Sequence, residues 1–261
     1  MTLLTGKRAI VTGGSRGIGR GISVELARQG CDVVIGYHVA NDEDYGRDRA
    51  IEDVVAEIAA LGRRAIAVEG DIADPKVAQR LVAAAVDNFG GVDVLSSNAG
   101  ICPFHAFLDM PLETYQQTVA VNLNGAFYVS QAAANRMKSQ GTGGAIIATS
   151  SISALVGGAM QTHYTPTKAG VHSLMQSAAI ALGPYGIRCN SVMPGAIATD
   201  LNKDDWSDPE KRAYLDKRIP LGRFGTPEDV GKVVAFLASD MAAYVTGAAL
   251  LVDGGLFVNL Q

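Results

Sequence analysis

From one end to the other, the chain alternates short runs of Val, Ile and Ala with amphipathic stretches of helical length, and few folds accommodate that alternation. Strand candidates are RAIVT at 8–12, DVVIG at 32–36, AIAV at 65–68, VDVL at 92–95, AIIA at 145–148, RCNSV at 188–192 and ALLV at 249–252. Helical candidates fall between them at 17–29, 47–61, 75–89, 112–139, 164–183 and 227–239. A strand that reads as an unbroken apolar run is buried on both faces, and its alternation with helices is the mark of a parallel sheet. The expectation is α/β: a single doubly wound domain over 1–261, with a mostly parallel seven-stranded sheet flanked by helices. With 261 residues, 48% of them hydrophobic, the chain can bury a large core in one domain. The one long stretch without clear periodicity, 194–226, is rich in charge and ends in PLGRFG; such a segment in a compact domain is expected to serve as a lid.

Composition excludes several classes of function. A net charge of −4 provides no basic footprint for nucleic acid or an anionic membrane. The opening MTLLTGKR lacks an apolar signal core, and no run approaches the roughly 18 apolar residues of a membrane span, so a soluble, cytoplasmic protein is expected. Cys31, Cys102 and Cys189 are scattered without CxxC spacing, which implies neither a metal cage nor a disulfide framework. Cys102, beside Pro103, is read as a packed thiol.

The first strand runs directly into TGGSRGIG at 12–19, which opens a helix. Glycines at such a turn let backbone N–H groups approach a pyrophosphate, and the helix N-terminus favours negative charge. Gly13, Gly17 and Gly19 thus form a variant of the dinucleotide fingerprint. The same residues satisfy GxSxG, which would make Ser15 the nucleophile of an α/β-hydrolase. That reading fits poorly: the elbow would fall on the first strand, and the last histidine is His172, inside a helical stretch rather than late in the chain.

Tyr164 and Lys168 stand four residues apart in HYTPTKAG, with Ser151 thirteen residues upstream. On a helix, positions i and i+4 share a face with Cβ atoms roughly 5–6 Å apart. A phenol with a pKa near 10 is a poor base at neutral pH unless a neighbour favours phenolate, and a shift of about three units takes roughly 4 kcal/mol. Lys168 can be that neighbour; taken alone, the spacing fits a solvated helical pair equally well.

The motifs occur in a fixed order: TGGSRGIG, Asp71 after the third strand, SNAG at 97–100, NLNG at 122–125, Ser151, Tyr164 with Lys168, and MPG at 193–195. In this the chain resembles the short-chain dehydrogenase/reductase family from end to end. The resemblance implies a Rossmann-type sheet, a nicotinamide cofactor and a homotetramer. It implies that Gly13, Ser15, Arg16 and Ile18 contact phosphates and ribose, Asp71 and Ile72 the adenine, and Asn98, Ala99 and Gly100 the middle of the cofactor. Pro194, Gly195, Ile197 and Thr199 would hold the nicotinamide. Catalysis would rest on Tyr164 as the base, Lys168 lowering its pKa and binding ribose, Ser151 on the reacting oxygen, and Asn122 positioning a water that links Lys168 to solvent. Asn122 has a second reading, as a polar residue kinking the long 112–139 helix. Two departures stand out: Ser97 replaces a common Asn, and Pro166 lies inside the Tyr–Lys turn, where a proline is acceptable only if the helix begins near His163 or Tyr164.

Family members that prefer NAD place an Asp at the end of strand two to bind the ribose 2′-hydroxyl. Here Gly36, Tyr37 and His38 stand there, with Arg16 placed for a 2′-phosphate and His38 as its helper. The expectation is NADP preferred and NAD also used, against the alternative that Arg16 only pairs with a surface acid. The stretches 150–168, 183–190 and 252–261 resemble the family's L-rhamnose-oxidising branch. That implies oxidation of the anomeric hydroxyl of an L-sugar, L-rhamnose, to L-rhamnonolactone. Ser151, Ser153, Gln161, Tyr164, Thr199 and Asn202 are the candidate substrate contacts, Ser153 and Gln161 being equally readable as loop residues satisfying backbone groups. Phe104, His105 and Phe107 are candidates for one wall. The competing reading is reduction of a ketone or a 3-oxoacyl thioester. The apolar tail LFVNLQ at 256–261 is expected to pack against the body or a neighbouring subunit.

Overall fold

The computed structural model describes residues 2–43, 46 and 49–259. Seven strands are present: β1 (Arg8–Thr12), β2 (Asp32–Tyr37), β3 (Ala65–Glu69), β4 (Val94–Ser97), β5 (Gly144–Thr149), β6 (Ile187–Pro194) and β7 (Ala249–Val252). They form one sheet in the order β3-β2-β1-β4-β5-β6-β7, and every ladder is parallel. Alternate side chains point to opposite faces of a strand, so each strand feeds two cores. Ala9, Val11, Val33, Ile35 and Ile147 face one side, while Ile10, Val34, Leu95 and Ile146 face the other.

The first core is closed by α1 (Gly17–Arg28), α3 (Ala50–Ala60) and α10 (Pro227–Ala238), through Ile22, Leu26, Val54, Ile58, Val230 and Val234. The second is closed by α4 (Pro75–Phe89), α6 (Gly125–Gln140) and α7 (Tyr164–Leu182), through Leu81, Val129, Met137, Val171 and Met175. Each fully buried Leu, Ile or Met contributes about 1.5–3 kcal/mol. The helix ends follow from local sequence. Asp74 caps α4 by accepting from the Lys76 N–H at 2.9 Å, Pro75 follows it, and Gly90 ends the helix at φ 86°. Thr226 and Asp229 form a capping box at α10.

Strand order reverses between β1 and β4, and this opens a crevice at their carboxyl ends. At the opposite edge Arg8 holds Asp93 through two side-chain bonds of 2.7 Å, fixing the register of the same two strands.

Two expectations are revised. The helix read over 112–139 is α5 (Leu112–Val119) and α6 joined by a π-helical turn at Ala120–Asn124. The stretch 194–226 is not irregular throughout: it carries α8 (Lys203–Ser207) and α9 (Pro209–Arg218), the latter capped by Asp208, which accepts from the Glu210 and Lys211 N–H groups. The remaining helix, α2 (Val39–Glu43), follows β2 directly, and the start of the helix expected from 47 lies partly outside the described residues.

Candidate active site

The crevice is a cavity of about 660 Å³. It is built first by the turn after β1. Gly13 and Gly17 adopt φ of +62° and +52°, a region that favours glycine. A Cβ on Gly13 would lie 2.9 Å from the Ala99 Cα, and one on Gly19 would collide with the Gly13 carbonyl. The turn therefore packs backbone on backbone. α1 begins with no side-chain cap and no acid in its first turn, so its leading N–H groups and positive dipole end stand at the cavity without a capping side chain. The turn is tied to β4 by Thr12, whose hydroxyl accepts from the N–H groups of Asn98 and Ala99, both at 3.0 Å. Asn98 returns its side-chain amide to the carbonyls of Thr12 and Gly13.

Of the catalytic, cofactor-binding and principal substrate residues expected from the sequence, all but one line this cavity. Gly13, Ser15, Arg16, Gly17, Ile18 and Gly19 form its floor beside β1; Tyr37, His38, Asp71 and Ile72 lie toward β2 and β3. Asn98, Ala99 and Gly100 follow β4, and Pro194, Gly195, Ile197 and Thr199 follow β6. Ser151, Ser153, Gln161, Tyr164, Lys168 and Asn202 complete it.

The exception is Asn122, which stands behind the wall in the π-helical turn. Its side chain exchanges two hydrogen bonds with Ile101, accepting from the N–H at 2.8 Å and donating to the carbonyl at 3.0 Å. It also donates to Thr167 Oγ1 at 3.2 Å. A Cβ on Gly100 would lie 3.3 Å from Asn122 Oδ1 and 3.2 Å from Lys168 Nζ, which places both polar groups under the same glycine. The π-turn interrupts the long helix at the place the second reading chose, and Asn122 lies within it. Widened turns of this kind recur at functional sites.

α7 starts at Tyr164, so Pro166 falls in the first turn as required. Lys168 is 4% exposed and donates to the Thr149 carbonyl at 2.9 Å, with its Nζ 5.5 Å from the Tyr164 ring centre. Burial pushes this ammonium down to about 8. Tyr164 keeps partial exposure toward the cavity, yet protein surrounds it closely enough that lost solvation dominates and pushes the phenol up. The Ser151 hydrogen bond works the other way, favouring phenolate. Ser151 is held by β5 through the short 3-10 turn Ile152–Ala154, where its hydroxyl accepts from the Ser153 N–H at 3.1 Å.

The sequence reading missed several lining residues. Asp42, in α2, is buried and accepts from Ser15 Oγ at 3.0 Å and Arg16 Nε at 3.2 Å. The end of β2 carries no acid, but the helix after it does, and Arg16 pairs with it. An Asp five residues beyond Tyr37 was the available signal. Cys102 is buried in the wall and receives the Gln161 amide at 3.5 Å, and burial pushes its thiol up to about 11. Leu201, Asp205 and Leu215 reach the cavity from the 194–226 stretch, and Leu256 from the tail, whose last residues 260–261 lie outside the described residues. Of the three candidate wall residues, Phe104 lines the cavity, His105 does not, and Phe107 is 69% exposed.

A parallel sheet of this order, a glycine turn ahead of α1, and a Tyr–Lys pair beside a serine at the end of β5 define the short-chain dehydrogenase/reductase family, and the chain belongs to it. The family model that matches residues 13–257 is described as enoyl-(acyl carrier protein) reductase. Among curated proteins, an L-rhamnose 1-dehydrogenase (NAD(P)(+)) of Azotobacter vinelandii is 67% identical over 99% of this chain and all of its own. One of the same description from a Sphingomonas species is 63% identical over the whole of both chains. Among solved structures, a putative short-chain alcohol dehydrogenase from Sinorhizobium meliloti superposes with a TM-score of 0.90 at 33% identity, covering 98% of each chain.

Proposed function

We propose that the protein oxidises L-rhamnose at its anomeric hydroxyl to L-rhamnonolactone, passing the hydride to NADP or NAD. The observation that carries this reading is that Tyr164, Lys168 and Ser151 line one cavity together with Ser153, Gln161 and Asn202, polar groups suited to a polyol. Identities of 63% and 67% to two rhamnose dehydrogenases support the choice of sugar.

The glycine turn fits a dinucleotide, because its backbone leaves no room for a side chain between Gly13, Gly19 and Ala99. Gly13, Ser15, Arg16, Gly17, Ile18 and Gly19 would hold phosphates and ribose. Tyr37, His38, Asp71 and Ile72 would enclose the adenosine; Asn98, Ala99 and Gly100 would hold the middle, and Pro194, Gly195, Ile197 and Thr199 the nicotinamide end. Oxidised nicotinamide, when bound, supplies the hydride acceptor and a positive charge near the phenol. Tyr164 as phenolate takes the hydroxyl proton and Ser151 fixes the reacting oxygen. Burial opposes the phenolate and the Ser151 hydrogen bond favours it; the Lys168 ammonium, 5.5 Å from the ring centre, would add a favourable charge. Asn122 holds the Ile101 backbone and with it the wall beside Lys168, a site where a water could relay the proton outward.

The competing activity, reduction of a 3-oxoacyl thioester or another ketone, uses the same catalytic groups, and a 3-oxoacyl-[acyl-carrier-protein] reductase of Staphylococcus aureus is 40% identical over 97% of this chain. It is the weaker reading because the two rhamnose dehydrogenases are more similar, at 63% and 67% identity. A homotetramer is proposed on the strength of exposed apolar side chains in two regions, Leu112, Tyr115 and Phe127 on α5 and α6, and Ile180, Met241 and Tyr244 elsewhere. A cytoplasmic location is likewise proposed; no described helix is long and apolar enough to cross a membrane. The segment 194–226, whose α8 and α9 contribute Asp205 and Leu215 to the cavity lining, is proposed as the lid of a single domain spanning 1–261.

The test is reduction of NADP and NAD by purified protein with L-rhamnose, other L-sugars, D-sugars and simple alcohols. Turnover is expected to be greatest with L-rhamnose. Absence of turnover with every aldose, together with NADPH oxidation by a 3-oxoacyl thioester, would establish the competing reading.

A further inference from the structure

The acid that the sequence left unnoticed stands between the glycine turn and the end of β2. Asp42 is 6% exposed and Ser15 3%. The carboxylate accepts from Ser15 Oγ at 3.0 Å and from Arg16 Nε at 3.2 Å, so both donors come from the phosphate-binding turn. It shares the cavity with Tyr37 and His38, the residues at the end of β2. The geometry points to Asp42 as the residue that balances phosphorylated against unphosphorylated dinucleotide, by holding Arg16 in a pair that a 2′-phosphate has to share.

The inference rests on the reading of the cavity as a dinucleotide site and adds a specificity residue to it. A ribose 2′-hydroxyl is a hydrogen-bond donor, which a carboxylate accepts. A 2′-phosphate is an anion that seeks the Arg16 guanidinium and is repelled by Asp42. The carboxylate therefore favours one cofactor directly and restrains the other twice, by like charge and by competition for the arginine. Arg16 acts in the opposite sense. An enzyme carrying both accepts both cofactors, and its preference is the difference between two opposed effects rather than the work of one residue.

The experiment measures binding of ADP-ribose and 2′-phospho-ADP-ribose by calorimetry, since these probes lack the nicotinamide and involve no sugar chemistry. Asp42→Asn is expected to move the affinity ratio about 5- to 10-fold toward the 2′-phosphate, up to about 1.4 kcal/mol. Arg16→Gln is expected to move it at least as far the other way, and carries the test alone if Asp42→Asn does not fold. A ratio within about twofold of the wild type in Asp42→Asn, or in Arg16→Gln where only that variant folds, would overturn the inference. Failure of the wild-type protein to bind either probe would instead overturn the dinucleotide reading on which it rests.

Discussion

Lys168 holds its ammonium 5.5 Å from the centre of the Tyr164 ring while donating to the Thr149 carbonyl, so lysine and tyrosine titrate as neighbours in a shared enclosure. Burial raises the phenol and lowers the ammonium to about 8. The first proton lost by the pair leaves one proton on two sites, and phenolate with ammonium is one arrangement of that same protonation level. The rate of sugar oxidation should therefore climb tenfold per pH unit below the apparent pKa and level off above about pH 8. A pH profile of kcat/KM that falls between pH 6 and pH 8 would contradict this assignment.

Asn122 is predicted to act through the backbone. Asn122→Ala leaves the Ile101 N–H and carbonyl without partners, at about 1–3 kcal/mol for each buried group. A lowered melting temperature is expected together with a tenfold or larger loss in kcat, about 1.4 kcal/mol. Asn122→Ala with unchanged melting and unchanged kcat would show that the exchange with Ile101 matters to neither.

Gly19→Ala should cripple cofactor binding. The added methyl meets the Gly13 carbonyl, and Gly13 cannot retreat because Ala99 packs against its other side. NADPH affinity, read from the fluorescence of the reduced nicotinamide, is expected to fall by about tenfold or more, or 1.4 kcal/mol.

Gln161 and Ser153 carry the claim about the sugar. Gln161→Ala removes a lining amide, and loss of a hydrogen bond to a sugar hydroxyl costs about 0.5–1.5 kcal/mol, a two- to tenfold rise in KM for L-rhamnose. NADPH affinity should be unaffected. If the KM for L-rhamnose stayed constant in both Gln161→Ala and Ser153→Ala, neither residue would be a sugar contact.

The fold was legible because most strands carry short apolar runs between helical stretches, and all seven were located within two residues of their observed ends. The site was legible where chemistry and spacing coincide, as at Gly13–Gly19 and Tyr164–Lys168. It was illegible where a residue reaches the cavity through tertiary packing. Asp42 needs α2 to fold back on the phosphate turn, and Leu215 and Leu256 arrive from segments far apart in sequence. The π-turn at Ala120–Asn124 was read as ordinary helix because its residues are compatible with either and only the packing of Asn122 against Ile101 separates them.

The central claim, that the Tyr164 phenol moves the proton, is tested most directly by Tyr164→Phe. With NADPH binding intact, the account predicts that kcat for L-rhamnose oxidation falls by about 100-fold or more, in keeping with the size of general acid–base effects. Retention of more than roughly a few per cent of wild-type kcat in a folded, cofactor-binding Tyr164→Phe protein would contradict it.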